Sequence, residues 1–183
     1  MHRIAVVVAA LLPLAAYAAD KFTLVSAEVK PNVKIADAQV YKGFGCTGGN
    51  VSPSLTWSNP PAGTKSFAVT VYDPDAPTGS GWWHWVVFNL PAGTTSLLAG
   101  AGNEGSGKMP KGAVQSVTDF GAPGYGGPCP PKGDRPHRYV FTVHALKVEK
   151  LDLDEKSMPA LVGFMVGANR LDKATFTSTY SRK

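Results

Sequence analysis

Trp82-Trp83-His84-Trp85-Val86-Val87-Phe88-Asn89-Leu90 decides the fold. The run is aromatic and β-branched, apolar at odd and even positions alike, and closed by Pro91-Ala92-Gly93. It reads as a strand buried on both faces, at the centre of a sheet covered on both sides. Ser66 to Asp73 is a second strong strand, with Phe67, Val69, Val71 and Asp73 on one face. Only the loop Pro74 to Gly81 separates the two, so they are expected to pair as an antiparallel hairpin.

A third long strand, His137 to Leu146, sets His137, Tyr139, Phe141, Val143 and Ala145 on one side and His144 on the other. Shorter strands are expected at Phe22 to Ser26, Gln39 to Tyr41, Leu55 to Trp57, Ala113 to Val117 and Ala174 to Tyr180. One helix is expected over Asp154 to Arg170, with Pro159 near its start and an apolar stripe of Leu161, Phe164, Met165 and Ala168. The segment Leu98 to Gly112 is loop-like. Its partial matches to a dinucleotide fingerprint, Gly100 to Gly105, and to a phosphate loop, Gly102 to Lys108, lack the strand-then-helix setting that gives such motifs their mechanism.

Residues 1–18 read as a secretory signal peptide: a basic start at His2-Arg3, an apolar run from Ile4, and the small residues Ala16 and Ala18 flanking Tyr17. The apolar run is shorter than the about 20 residues a membrane span needs, so no stable membrane insertion is expected. Residues 19–183 then form one domain, exported to the periplasm or beyond. Lys and Arg number 18 against 13 Asp and Glu, a scattered surplus that excludes a nucleic-acid footprint and only mildly favours anionic ligands. In an exported chain Cys46 and Cys129 read as a disulfide before two free thiols, tying the Gly-rich segment Gly43 to Asn50 to a later loop. Asn50-Val51-Ser52 is a formal glycosylation sequon of a kind that arises often by chance.

That later loop, Gly124-Tyr125-Gly126-Gly127-Pro128-Cys129-Pro130-Pro131, is too dense in Gly and Pro for helix or paired strand, and it leads to His137-Arg138-Tyr139. Asp73, His84, His137 and Tyr139 are expected at neighbouring strand ends, beside backbone N–H groups of the loop. One carboxylate, two imidazoles, a phenol and loop amides suit an oxyanion such as phosphate or carboxylate, with Asp73 orienting an imidazole. Taken singly, a histidine at a strand end reads first as a satisfied structural group, and Tyr139 reads first as core. A zinc site from Asp73, His84 and His137 lacks metal-ligand spacing, so no metal and no cofactor is expected. No Gly-x-Ser-x-Gly elbow is present, and the cysteines are consumed if they pair, which favours binding over turnover.

Asp73-Pro74-Asp75-Ala76-Pro77, Trp82-Trp83-His84-Trp85-Val86-Val87 and Gly127-Pro128-Cys129-Pro130-Pro131-Lys132-Gly133 with His137-Arg138-Tyr139 resemble the phosphatidylethanolamine-binding protein family, also called the Raf kinase inhibitor family. The likeness covers nearly all of the mature chain and is closest to secreted members of the bacterial branch. It implies a Greek-key β-sandwich with a large central antiparallel sheet, a smaller second sheet and one or two short helices. It also implies an anion pocket with Asp73, His84 and Tyr139 at its core and His137, Pro130, Pro131, Gly127, Tyr125, Pro77 and Trp83 on its wall. Cys129 departs from the small residue of animal members, and their extended C-terminal helix looks missing or shortened, so kinase inhibition does not carry over. The expected function is small-anion binding with a regulatory or inhibitory role toward a protein partner. The alternative is a phosphate- or acyl-ester hydrolase with a pocket histidine as general base.

Overall fold

The computed structural model describes residues 20–183; the expected signal peptide lies outside the described residues. Ten strands and one helix follow in the order β1 (Thr23–Val25), β2 (Lys42–Gly43), β3 (Cys46–Thr47), β4 (Leu55–Ser58), β5 (Ser66–Asp73), β6 (Trp82–Pro91), β7 (Ser96–Leu97), β8 (Val114–Gln115), β9 (His137–Leu146), α1 (Pro159–Asn169) and β10 (Arg170–Tyr180). The fold is mainly β. A five-stranded antiparallel sheet runs β10-β9-β5-β6-β8, a three-stranded one β1-β4-β7, and β2 and β3 form a separate hairpin.

The two larger sheets face one another across the main core. Phe22 and Trp57, from the small-sheet side, meet Phe67 of β5 at ring separations of 6.4 and 5.5 Å. Val69, Val71, Trp85, Val87, Tyr139, Phe141 and Val143 complete that layer. The opposite face of the large sheet carries Ala68, Val86, Phe88 and Leu146, which pack under Val162 and Val166 of α1. Burial of both faces accounts for the unbroken apolar run of β6.

The long strands match the sequence reading, and three local readings are corrected. The expected strand at Gln39 to Tyr41 is absent; pairing begins at Lys42 and turns back at Cys46, because the glycines flanking Phe44 allow a tight two-residue hairpin inside the Gly-rich segment. The helix starts at Pro159, not Asp154, and β10 begins directly after it at Arg170. Its buried row is Pro159, Val162 and Val166, while Leu161 and Phe164 stand exposed at 47% and 70%. The helix sequence is apolar all the way round, so period alone could not select the covered face.

Candidate functional site

A β-bulge builds the site. On β5, Val71 and Tyr72 are adjacent, yet their partners on β6 are Trp85 and Trp83, leaving His84 as an extra, unpaired residue. The bulge breaks strict alternation. Trp85 joins the main core, Trp83 turns to the other face against Tyr72 at 4.6 Å, and His84 turns toward Tyr139 at 5.1 Å. Under strict alternation His84 would share a face with Val86 and Phe88 under the helix.

Around His84 opens a pocket of about 210 Å³ at one end of the large sheet. Asp73, His84, His137 and Tyr139 line its depth, and Cys129, Pro130 and Pro131 form one wall. Ala76, Pro77 and Thr78 of the β5–β6 loop form another, and Phe44, Trp82 and Phe120 supply aromatic faces. The structure therefore brings Asp73, His84, His137, Tyr139, Pro77, Pro130 and Pro131 together.

Three residues expected on the wall lie elsewhere. Trp83 is on the opposite face because of the bulge, facing Gly163 of α1. Tyr125 is buried edge-on to Trp85, with its hydroxyl donating to the Gln39 carbonyl at 3.1 Å; it borders a neighbouring cleft. Gly127 lies behind the wall, pressed so close to the chain at Gln39 that a Cβ would stand 2.0 Å from that residue's carbonyl oxygen. The loop amides are also engaged: Tyr125, Gly126 and Gly127 donate to Gly102 O, His84 O and Asn50 Oδ1. Asn50, read only as a chance sequon, is the loop's anchor; its Nδ2 also donates to the Tyr125 carbonyl.

Hydrogen bonds fix the polar floor. His84 Nδ1–H donates to the Gly126 carbonyl at 2.7 Å, which selects the tautomer and leaves Nε2 as an acceptor. Burial holds the His84 pKa down at about 4, against the pull of that carbonyl and of Asp73. His137 Nδ1–H donates to Asp73 Oδ2 at 2.7 Å, and its Nε2 faces Asp134 Oδ2 at 3.3 Å. Asp73 Oδ1 accepts the Asp75 amide. Asp75 accepts from the backbone amide and guanidinium of Arg138 and from Arg135, and the Arg138 bonds lead in lowering its pKa to about 2. This carboxylate, which sequence reading passed over, ties the β5–β6 loop to the start of β9. The Tyr139 hydroxyl is buried with no partner, and burial, reinforced by the Asp73 charge, keeps it protonated well above the ordinary range.

Asp73 and His137 thus satisfy one another, and the floor's uncommitted polar atoms are a donor on Tyr139 and an acceptor on His84. Trp82, Phe120 and Phe44 were missed. Trp82 had a signal, being the register partner of Asp73, whereas the turn that presents Phe120 carries none. His144, assigned to the other face, bonds Thr70 there at 3.1 Å.

The sequence pattern of the phosphatidylethanolamine-binding protein family matches residues 25–181. The chain belongs to that family. It is 56% identical to UPF0098 protein YbcL of Escherichia coli over 165 residues, 90% of each chain, and 52% identical to YbhB of the same organism over 158 residues, covering 86% of this chain and 99% of the relative. The crystal structure of YbcL, described as a new member of the mammalian PEBP family, superposes with a TM-score of 0.88 over 90% of this chain and all of that one. A phosphatidylethanolamine-binding protein homologue from Chlamydia trachomatis gives 0.73 at 29% identity, covering 88% and 98%.

Proposed function

We propose that this phosphatidylethanolamine-binding protein family member is a binding module of the bacterial, exported type that holds the phosphate or carboxylate head group of a small ligand and regulates a protein partner in the periplasm. One observation carries the binding reading. Tyr139, whose buried hydroxyl has no partner, lines the same pocket as His84, whose Nε2 is left an acceptor, so the floor fits a group that both accepts and donates. A hydrogen phosphate or a carboxylic acid has that character; a fully ionised anion does not. With His84 neutral near pH 7 and Asp73 beside it, the proton must come with the ligand. The sequence expectation of an oxyanion pocket is thereby narrowed to recognition of an acid form.

The Cys46–Cys129 disulfide supports an oxidising compartment, in keeping with the signal-like start of the sequence. Binding without turnover is favoured because the uncommitted floor atoms are a phenol and an imidazole acceptor, neither hydrogen-bonded to a hydroxyl or thiol nucleophile among the described residues. Calorimetric titration with inorganic phosphate tests the reading. The wild type should bind, and Tyr139→Phe should weaken binding about tenfold by removing the buried donor. Turnover of phosphomonoester or acyl-ester substrates, lost in His84→Ala, would instead establish the hydrolase.

A further inference from the structure

Phe44 packs against Tyr41 at 5.3 Å yet leaves most of its ring uncovered. It stands at the tip of the β2–β3 hairpin between Gly43 and Gly45, is 65% exposed, and adopts a φ of 50°. A bulky residue in the left-handed region is strained, and such strain persists only where surrounding structure enforces it. Three devices enforce it here. Gly43 pairs with Cys46 across the turn, Cys46 is bonded to Cys129 of the pocket wall, and Arg182 bridges the hairpin to that wall. The Arg182 Nε–H donates to the Pro130 carbonyl at 2.5 Å, and Nη1 reaches the Phe44 carbonyl and Cys46 Sγ, each at 3.3 Å.

So held, the Phe44 ring lies near-parallel to Phe120, with an interplanar angle of 13° and centroids 6.0 Å apart. Both rings line the pocket above the polar floor. Phe120 rests on Gly126 at a distance that leaves no room for a Cβ, and is flanked by Tyr41 at 4.4 Å and Trp82 at 5.4 Å. A phosphate on Tyr139 and His84 uses none of this aromatic surface. We propose that Phe44 and Phe120 form a stacking subsite for a flat, apolar substituent on the ligand's acid group, and that Arg182 is the positioning residue that holds Phe44 over it. The ligand class is then a small phosphomonoester with an aromatic substituent, which rests on the oxyacid reading of the floor.

Calorimetry with inorganic phosphate and with phenyl phosphate separates the two levels. The wild type is expected to bind phenyl phosphate about 3- to 10-fold more tightly, the gain of one aromatic contact. Phe44→Asn, which suits the left-handed backbone while deleting the ring, should abolish that preference by lowering phenyl phosphate affinity more than inorganic phosphate affinity. Arg182→Ala should reduce the preference, and Arg182→Lys should restore part of it, because an ammonium replaces one of the two carbonyl contacts. A general loosening of the fold would weaken both probes together, so parallel losses in these variants would overturn the assignment. Equal wild-type affinity for the two probes, or an unchanged preference in both Phe44→Asn and Arg182→Ala, would also overturn it while leaving the oxyacid floor intact. No binding of either probe by the wild type would overturn the floor and the subsite alike.

Discussion

His137 Nδ1 stands 2.7 Å from Asp73 Oδ2, with both side chains closed off from solvent. The pair joins the end of β5 to the start of β9, and the second oxygen of Asp73 caps the amide of Asp75. Deleting one member of a buried pair leaves the other without compensation, at a cost on the order of 3 kcal/mol. Asp73→Ala should therefore lower the urea midpoint strongly with little change in slope, and Asp73→Asn, which keeps one acceptor, should lose less. A wild-type midpoint in Asp73→Ala would show that the pair contributes nothing to stability.

His84 makes stability depend on pH in a defined window. Its folded-state pKa of about 4 lies below the ordinary 6.5, so the unfolded chain takes up the proton first as pH falls. Stability is complete above about 6.5 and is lost progressively toward about 4, a contribution on the order of 3 kcal/mol. His144, held near 3 by burial, acts in the same direction, and Asp75, at about 2 against an ordinary 3.8, adds a further loss in stronger acid. Denaturation midpoints should rise between pH 4 and 6.5, and His84→Gln should flatten that rise without abolishing it.

Ligand binding follows a different pH rule. His84 stays neutral between pH 6 and 8, while a phosphomonoester titrates with a pKa of about 6 and loses there the proton that the floor requires. Phenyl phosphate should bind more tightly at pH 6 than at pH 8, and the protonation change should belong to the ligand. Titration at pH 6 in buffers of different ionisation enthalpy checks this. Net proton uptake by the complex that disappears in His84→Gln would assign the proton to the imidazole instead.

Where the chain spoke plainly, it did so through residue type. Ser66–Asp73 and His137–Leu146 are β-branched and aromatic runs bounded by Gly, Pro or charge, and both were legible to the residue. Asp73, His84, His137 and Tyr139 were legible as a group because strand ends and hairpin register bring them together. The bulge at His84 was not, since an extra residue in a ladder leaves no mark on composition, and the motif resemblance that put Trp83 on the wall carries no register. The covered face of α1 was illegible because apolar residues surround the helix. Val162→Ala and Val166→Ala should each cost about 2 kcal/mol, whereas Phe164→Ser should stay within about 0.5 kcal/mol. Chemical denaturation of the three variants distinguishes the buried row from the exposed one.

The disulfide closes a span of 83 residues between the hairpin and the pocket wall. In the chain-entropy account such a bridge stabilises the fold by about 4 to 5 kcal/mol, an upper figure because Arg182 spans the same gap in parallel. Intact mass should show no alkylation of Cys46 or Cys129 until reductant is added. The doubly substituted Cys46→Ser, Cys129→Ser protein should melt well below the wild type. Equal melting temperatures would mean that the bridge leaves the unfolded chain no more restricted than before.

Gly126 and Gly127 separate pocket shape from fold stability. A Cβ at Gly127 would meet the Gln39 carbonyl oxygen at 2.0 Å and the Tyr41 nitrogen at 2.6 Å, both backbone atoms that cannot yield without moving the segment beneath the wall. A Cβ at Gly126 would instead meet the Phe120 ring at 2.2 Å, and that ring is carried on a half-exposed turn that can give way. Gly127→Ala should therefore cost about 3 kcal/mol or more through overpacking. Gly126→Ala should cost less and push Phe120 away from its place beside His84. Its signature would be a near wild-type melting temperature with a reduced preference for phenyl phosphate over inorganic phosphate. A loss of stability in Gly126→Ala as large as in Gly127→Ala would show that the Phe120 turn is as rigid as the backbone behind the wall.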